Sequence, residues 1–379
     1  MTDRVFDCII VGAGPSGGSA AYHLAKRGRS TLVLDKATLP RYKPCGGGVA
    51  PIVQEWFDFD FSPAISLKID VTHHTWNNGD PVEVELQTRE PIWMVRRDIF
   101  DHFLVQQAQR QGAELRDGTL VTGVELGGDG AIVKTKIGEF AGRYLIAADG
   151  GRGPLARWLG FAHRQRAIAG ALEAEFAIPD QCERRAFFEF GMVRKGYLWN
   201  FPKADGYSIG IAAFGDRGSQ NLRQTLARYA QSFGVDLATA SQAPHPISVW
   251  NGNQTLHVKN ALLAGEAACV VDPLTAEGIR PSMFSGIKAA EAVDRALAGD
   301  LDAIAGYSQT ISTEWGTEMI WARRLADLFY RFPRLGYQMG VKRAGATRAI
   351  GRILSGEARY SELAQRGLDR LKTALLPGA

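Results

Sequence analysis

With 379 residues, 45% of them hydrophobic and 22% charged, the chain is long enough for one large α/β unit and a second, smaller region around a shared ligand, and disorder is not expected. Its 44 Lys and Arg against 40 Asp and Glu give a formal charge of +4, which argues against general nucleic-acid binding. Apolar runs such as 8–11 and 260–264 fall far short of the roughly 20 residues that span a bilayer, and Cys8, Cys45, Cys182 and Cys269 lack C-x-x-C or histidine-paired spacing, so no disulfide framework or metal site is expected.

Residues 8–11 are apolar, 12–18 are glycine-rich, Ala20, Ala21, Leu24 and Ala25 recur at helical spacing, and 31–34 are apolar again. This predicts strand, turn, helix, strand. A short strand ending in glycines is not the apolar region of a secretory signal, so cytoplasmic residence is expected. Alternation with a Gly-Asp-Pro break over 71–85 predicts an antiparallel insertion. On it His73 and His74 face opposite ways and are read as surface residues rather than a metal pair.

A helix is expected over 98–111, with Phe100, Phe103, Leu104 and Ala108 on one face and Gly112 ending it. Residues 121–124 and 131–136 read as a hairpin leading to a strand at 144–148. Short alternating strands at 186–190, 197–201 and 207–213 predict an antiparallel sheet inserted into the α/β domain. An apolar strand returns at 260–264, and beyond 300 the chain reads helical. There Trp321, Leu325, Leu328, Phe329 and Phe332 form an apolar stripe beside Arg323, Arg324 and Arg331. Residues 321–379 hold twelve Lys/Arg and four Asp/Glu against 32 and 36 in the remainder, a basic tail on a mildly acidic body.

Gly12-Ala13-Gly14-Pro15-Ser16-Gly17 matches G-x-G-x-x-G between a strand and a helix, with Asp35 placed 23 residues after Gly12 at the end of the second strand. Gly12 permits the tight turn, Gly14 lets backbone N–H groups approach a pyrophosphate, and Gly17 lets helix and strand pack closely. The helix N-terminus favours the anion, and Asp35 can accept from an adenosine ribose hydroxyl. The bland alternative is a glycine-rich structural turn. Residues 14–18 also fit G-x-S-x-G, which would make Ser16 a hydrolase nucleophile. A hydrolase sheet builds strands and an oxyanion loop before its elbow, whereas about eleven residues precede this one, and Asp35 would lack a purpose. Neither Gly46-Gly47-Gly48 nor Gly127-Gly128 follows a strand and opens a helix, so one dinucleotide is expected. The missing C-x-x-C argues against two-dinucleotide disulfide reductases.

Arg97-x-x-Phe100-Asp101, Ala148-Asp149-Gly150, Gly265-Glu266-Ala267-Ala268 and Asp272-Pro273-Leu274-Thr275-x-Glu277-Gly278-Ile279 resemble the flavin-contacting segments of the para-hydroxybenzoate hydroxylase-like superfamily. Within it, Lys43-Pro44-Cys45-Gly46-Gly47-Gly48 and Tyr197-x-Trp199-x-Phe201-Pro202-Lys203 resemble the geranylgeranyl reductases, in the right order over nearly the whole chain. The Trp-x-Trp-x-Ile-Pro of the related flavin-dependent halogenases is lacking.

The resemblance implies an α/β fold: a Rossmann-type FAD-binding domain over 1–70, 91–165 and 256–300, an inserted antiparallel β-sheet substrate domain over 71–90 and 166–255, and a C-terminal helical region over 301–379. It places Arg97 near the flavin phosphates or ribityl chain, Asp149 by the ring channel and Glu266 against the ribityl hydroxyls. Glu266 departs from the Asp usual there by one added methylene. It also implies that Gly12, Gly14, Pro15, Ser16, Gly17, Asp35 and Lys36 bind FAD, joined by Cys45, Gly46, Val121, Gly150, Gly265, Asp272, Pro273, Gly278 and Ile279. The helix after Gly278 would aim its positive end at the pyrimidine edge of reduced flavin.

Tyr197, Trp199 and Phe201 alternate and on a strand form one aromatic face, which periodicity alone reads as core. The resemblance makes it a pocket wall, with Gly47 and Pro202, suited to a polyprenyl chain. It makes Cys45, Tyr197 and Trp199 the candidate catalytic residues, Cys45 for proton delivery or alkene positioning. Otherwise Cys45 is a buried, inert thiol. The activity implied is reduction of isolated C=C bonds in a geranylgeranyl or other polyprenyl group by hydride from reduced FAD, recharged by NAD(P)H or reduced ferredoxin. The alternatives are an aromatic monooxygenase (hydroxylase) using a flavin hydroperoxide and a non-catalytic flavin-bound partner. The basic tail is either a solvated helical face or a peripheral contact with anionic lipid or diphosphate.

Overall fold

The computed structural model describes residues 4–365 apart from 129, 162–163, 165, 178–182, 216–219, 238–239 and 241. Cys182 and the last fourteen residues of the expected helical tail therefore lie outside the described residues. Five strands form a parallel core in the order Ala261–Leu263, Gly138–Ala147, Val5–Val11, Thr31–Leu34, Glu114–Arg116. Short, nearly continuous apolar runs at Val5–Val11, Thr31–Leu34 and Ala261–Leu263 suit strands covered on both faces, and Thr31–Leu34 is buried throughout. The hairpin Val121–Leu126 and Ala131–Thr135 extends the Gly138–Ala147 strand antiparallel.

Helices Pro15–Lys26, Arg97–Arg110 and Ile279–Leu297 bury their apolar stripes against this unit, and Phe100, Leu104 and Ala108 are fully enclosed. The first and last of them meet closely: a Cβ on Gly286 would stand 2.2 Å from the Ser16 carbonyl oxygen. Only a residue without a side chain permits that approach.

A second sheet of seven strands runs Gln242–Val249, Ala167–Ala177, Gly206–Phe214, Gly196–Lys203, Arg185–Phe190, Val71–Trp76, Gly79–Glu85. It is antiparallel except where Arg185–Phe190 lies parallel to Val71–Trp76. That pair joins segments distant in sequence, so no hairpin dictates its direction. Alternate residues of Ala167–Ala177, Arg185–Phe190, Gly196–Lys203 and Gln242–Val249 face the cavity, while Leu172, Ala174, Leu198, Ile209 and Ile211 pack in the core that helix Leu222–Gln231 covers.

His73 and His74 do point to opposite faces, against Phe187 and Phe188 respectively. The expectation that both are surface residues is corrected for His74. It is 7% exposed, stacks on Phe188 at 14° and hydrogen-bonds Thr72 Oγ1 through Nε2 at 2.9 Å. The neighbouring strand covers it, which single-strand alternation could not reveal. Burial and the nearby His73 lower its pKa to about 3, so it is neutral at physiological pH.

The C-terminal part folds into helices Ala303–Ile311, Thr317–Arg331 and Ala344–Ser355, the first two joined by a π-helical turn at Ser312–Gly316 and the last two by the short helical elements Pro333–Gly336 and Tyr337–Val341. No helix among the described residues is long and apolar enough to cross a membrane. The stripe Trp321, Leu325, Leu328, Phe329 and Phe332 is turned toward the second sheet and lines the same cavity.

Candidate active site

The glycine turn between Val5–Val11 and Pro15–Lys26 is as tight as its composition requires. Gly12 has φ +108°, and a Cβ there would meet the Ala148 carbonyl oxygen at 2.3 Å, while one on Gly17 would meet that of Gly12 at 1.8 Å. At Gly14 the added carbon would lie 3.7 Å from Arg41 Nη2 and 4.0 Å from Arg97 Nη2. Two guanidinium groups therefore flank a helix N-terminus, an arrangement that attracts phosphate oxygens.

Arg97 is held by a two-pronged pair with Asp101, Nε to Oδ1 and Nη2 to Oδ2 at 2.7 Å each, and Arg41 Nη2 reaches Asp101 Oδ2 at 3.1 Å. Asp35 accepts the Ala13 N–H at 2.7 Å and the Ala37 N–H at 2.9 Å. Lone pairs on its oxygens remain for a ribose hydroxyl.

From this turn a cavity of about 1850 Å³ runs past Cys45 into an aromatic slot, well beyond the roughly 300–1,000 Å³ of ordinary ligand pockets. Its walls bring together most of the sequence-predicted residues. On them are Gly12, Gly14, Pro15, Ser16, Asp35, Lys36, Cys45, Gly46, Gly47, Arg97, Val121, Asp149 and Gly150, with Gly265, Glu266, Gly278, Ile279, Tyr197, Trp199 and Phe201.

Gly17, Pro202, Asp272 and Pro273 are instead buried behind the wall. Pro202 turns away because Phe201, its strand neighbour, faces in. The Asp272 carboxylate is taken up by the Tyr360 hydroxyl at 2.7 Å and by the Leu274 and Thr275 N–H groups. It shapes the 272–278 loop from behind.

The cavity walls also hold buried polar atoms that no protein group satisfies: Ser16 Oγ, Arg41 Nη1, Asp149 Oδ1 and Trp199 Nε1. Buried polar groups rarely stay unpaired unless a ligand meets them. A hydroxyl, a guanidinium and a carboxyl spread along one channel fit a dinucleotide carrying phosphates, sugar hydroxyls and a polar ring. Burial raises Asp149 to about 6 although it accepts the Leu155 N–H at 2.9 Å.

Glu266 reaches across to the second sheet, where Oε1 accepts the Ser248 N–H at 2.9 Å and Oε2 lies 3.5 Å from His245 Nε2. Burial pushes its carboxyl up, but His245, Lys43 and the Ser248 N–H outweigh that and hold it at about 2. The extra methylene relative to Asp is what makes this span possible.

At the far end Phe188 and Phe190 extend the wall begun by Tyr197, Trp199 and Phe201, with ring centroids 5.1 Å apart between Phe188 and Phe201 and 6.2 Å between Phe190 and Tyr197. The Tyr197 hydroxyl donates to the Thr275 carbonyl, tying the slot to the loop before Gly278. Leu325, Leu328 and Phe329 face this wall from helix Thr317–Arg331.

The sequence reading did not single out Arg41, Lys43, Glu173, Lys203 or His245 as site residues. Lys43 and Lys203 sat inside the quoted motifs, and Arg41 precedes one of them. Glu173 and His245 carry no local signal, since only the pairing of strands Ala167–Ala177 and Gln242–Val249 brings them to the cavity.

Residues 5–303 match the model of the FAD binding domain family. The menaquinone reductase of Mycobacterium tuberculosis is 30% identical over 359 residues, covering 88% of this chain and 86% of that protein. Digeranylgeranylglycerophospholipid reductase 1 of Methanothermobacter thermautotrophicus is 27% identical over 337 residues, 83% of this chain and 84% of that protein. The crystal structure of a geranylgeranyl bacteriochlorophyll reductase-like protein from Thermoplasma acidophilum shares the fold, with a TM-score of 0.77 at 22% identity and coverage of 93% and 92%.

Fold and site define a flavoprotein oxidoreductase. The chain belongs to the FAD binding domain family and, within it, to the geranylgeranyl reductase-like FAD-dependent oxidoreductases.

Proposed function

We propose that the chain reduces isolated C=C bonds in a geranylgeranyl or other polyprenyl group. The observation that carries this reading is the continuity of the cavity from the glycine turn, past Cys45, into a slot walled by Tyr197, Trp199, Phe201, Phe188 and Phe190. An apolar aromatic wall suits a hydrocarbon chain that offers no hydrogen bonds beyond its head group. The names of the menaquinone reductase and the phospholipid reductase among its relatives support the same substrate class.

When bound, reduced FAD supplies the hydride, and NAD(P)H or reduced ferredoxin replenishes it. Arg41, Arg97 and the N-terminus of Pro15–Lys26 hold the phosphates, and Asp35 holds the adenosine ribose. The N-terminus of Ile279–Leu297 lies on the cavity wall and would favour negative charge on the reduced flavin ring. Cys45, Tyr197 and Trp199 border the reacting bond: the two rings orient the chain and exclude water, and the Cys45 thiol delivers the proton.

Leu328, Phe332, Leu335 and Met339 are exposed where the slot opens, beside Arg324, Arg331, Arg334 and Arg343. An apolar rim ringed by arginines fits peripheral contact with an anionic bilayer, from which a prenyl chain could slide into the slot.

The test is anaerobic. Photoreduced protein is mixed with prenylated quinone, glycerolipid and diphosphate substrates, and products are weighed by mass spectrometry. A gain of two hydrogens per reduced bond, with reoxidation of bound FAD, is expected. Fast NAD(P)H oxidation with oxygen incorporated into an aromatic compound, and no prenyl product, would replace this reading with the hydroxylase.

A further inference from the structure

Two buried ionisable side chains grip the Cys45 loop from the second sheet. Glu173, on Ala167–Ala177, is 4% exposed, lines the cavity and accepts the Cys45 N–H through Oε1 at 2.6 Å. Lys203, the last residue of Gly196–Lys203, is 2% exposed and donates from Nζ to the Gly46 carbonyl at 2.5 Å. One peptide N–H and one carbonyl need only neutral partners. Burying an acid and a base for the task costs desolvation that an amide or hydroxyl would avoid. The pair is better explained by the proton it can exchange.

The surroundings define where that proton goes. Arg97, Lys43 and Lys203 all act electrostatically on the Cys45 thiol. Glu173 itself is faced by Lys203, Glu175, Tyr42 and Ser208. Of these it is the acid bonded directly to the Cys45 backbone.

We propose that Glu173 is the proton reserve of this site, reloading Cys45 after the thiol has protonated the alkene, an inference that rests on the reductase reading above. The π bond breaks as hydride from reduced FAD forms one C–H bond and the thiol proton forms the other. The Glu173 O–H proton then passes to the Cys45 sulfur, and the carboxylate left beside Lys203 regains a proton from solvent. The cofactor is oxidised and the alkene reduced, while Cys45 and Glu173 end as they began.

Burial drives the Glu173 carboxyl up to about 7, with Glu175 pushing the same way against the Cys45 N–H and Lys203. It therefore carries a proton up to neutral pH and loses it above. Burial lowers Lys203.

The experiment compares FAD-loaded wild type, Glu173→Gln and Glu173→Asp by two readouts. The first needs no turnover: alkylation of Cys45 by iodoacetamide is followed against pH by peptide mass spectrometry. Wild type is expected to show an inflection near pH 7 that Gln abolishes and Asp restores. The second is single-turnover oxidation of the reduced protein by a prenyl substrate. There Gln should slow the reaction by roughly 10²-fold and remove its decline with rising pH, with FAD binding and substrate affinity unchanged.

If Gln at 173 does not fold, Lys203→Gln takes its place and should move the alkylation inflection upward, since a cation that favours the carboxylate is gone. An alkylation profile of Glu173→Gln that superimposes on wild type, or an inflection unmoved by Lys203→Gln, overturns the proposal. If wild type reduces no prenyl substrate, the function reading fails while the alkylation profiles still decide the role of Glu173.

Discussion

Trp199 occupies the space that a side chain at position 210 would need. The two are cross-strand neighbours, and a Cβ on Gly210 would stand 2.0 Å from the indole Cζ2. A bare backbone at 210 thus lets the ring settle into the sheet surface and sets the depth of the slot.

Gly210→Ala should push the indole outward into the slot. Overpacking of this kind costs about 1–3 kcal/mol, and prenyl turnover should fall by at least roughly tenfold through a raised KM. Absorbance of bound FAD per chain should not change, because Gly14, Arg41 and Asp35, which hold the phosphates and ribose, come from the glycine turn and the segment after Thr31–Leu34 rather than from the second sheet. Steady-state kinetics beside the visible spectrum checks this, and wild-type KM in the variant would remove Trp199 from the substrate wall.

Arg41 and Arg97 share Asp101 but should respond differently to removal. Arg41→Ala leaves Asp101 still bound by both prongs of Arg97, so the melting temperature of the FAD-free protein should move little. FAD should bind about tenfold or more weakly, since a charged hydrogen bond is worth about 1.5–3 kcal/mol. Arg97→Ala leaves a buried carboxylate with a more distant partner and should cost about 3–5 kcal/mol of folding stability. Fluorescence titration with FAD and thermal unfolding separate the two. Equal loss of stability in both variants would refute this division.

The Glu266 carboxyl predicts a pH window. Its folded pKa of about 2 lies below its ordinary 4.5, so the stability it contributes is full above pH 4.5 and is lost as pH falls toward 2. The difference corresponds to about 3 kcal/mol. Denaturant midpoints of FAD-free wild type and Glu266→Gln should therefore differ most near pH 6 and converge below pH 3. A gap that persists undiminished at pH 3 would show that charge on Glu266 is not its source.

The parallel core was legible because its signals are local: apolar runs of strand length, the glycine spacing and helical periodicity over Phe100, Leu104 and Ala108. Half of the site was legible for the same reason, since Gly12, Gly14 and Asp35 lie within one short unit and Tyr197, Trp199 and Phe201 on one strand. His74, Glu173 and His245 were not. Each owes its position to strand pairing across long sequence separations, His74 to Phe188 and Glu173 to Ala243, which periodicity within a strand cannot report. The tail was legible as an amphipathic helix but not as a wall, because an apolar stripe does not say what it covers.

The rim of that wall yields the last prediction. Leu328, Phe332, Leu335 and Met339 are 62%, 51%, 59% and 48% exposed, on the short elements that follow and end helix Thr317–Arg331. Arg324 lies over Trp321, Arg331 over Phe332 and Arg334 over Trp76. The guanidinium groups therefore sit beside the apolar tips, where lipid phosphates would meet them. Each basic residue near an anionic surface adds about 1 kcal/mol, and the apolar tips add burial in the interface. Replacing all four apolar residues by Ser should abolish sedimentation with anionic vesicles, and Arg331→Gln with Arg334→Gln should weaken it roughly thirtyfold. FAD content should be retained, because none of these residues is among those that hold the phosphates or the ribose. Sedimentation of the four-fold variant at wild-type level would mean that the rim does not meet the bilayer.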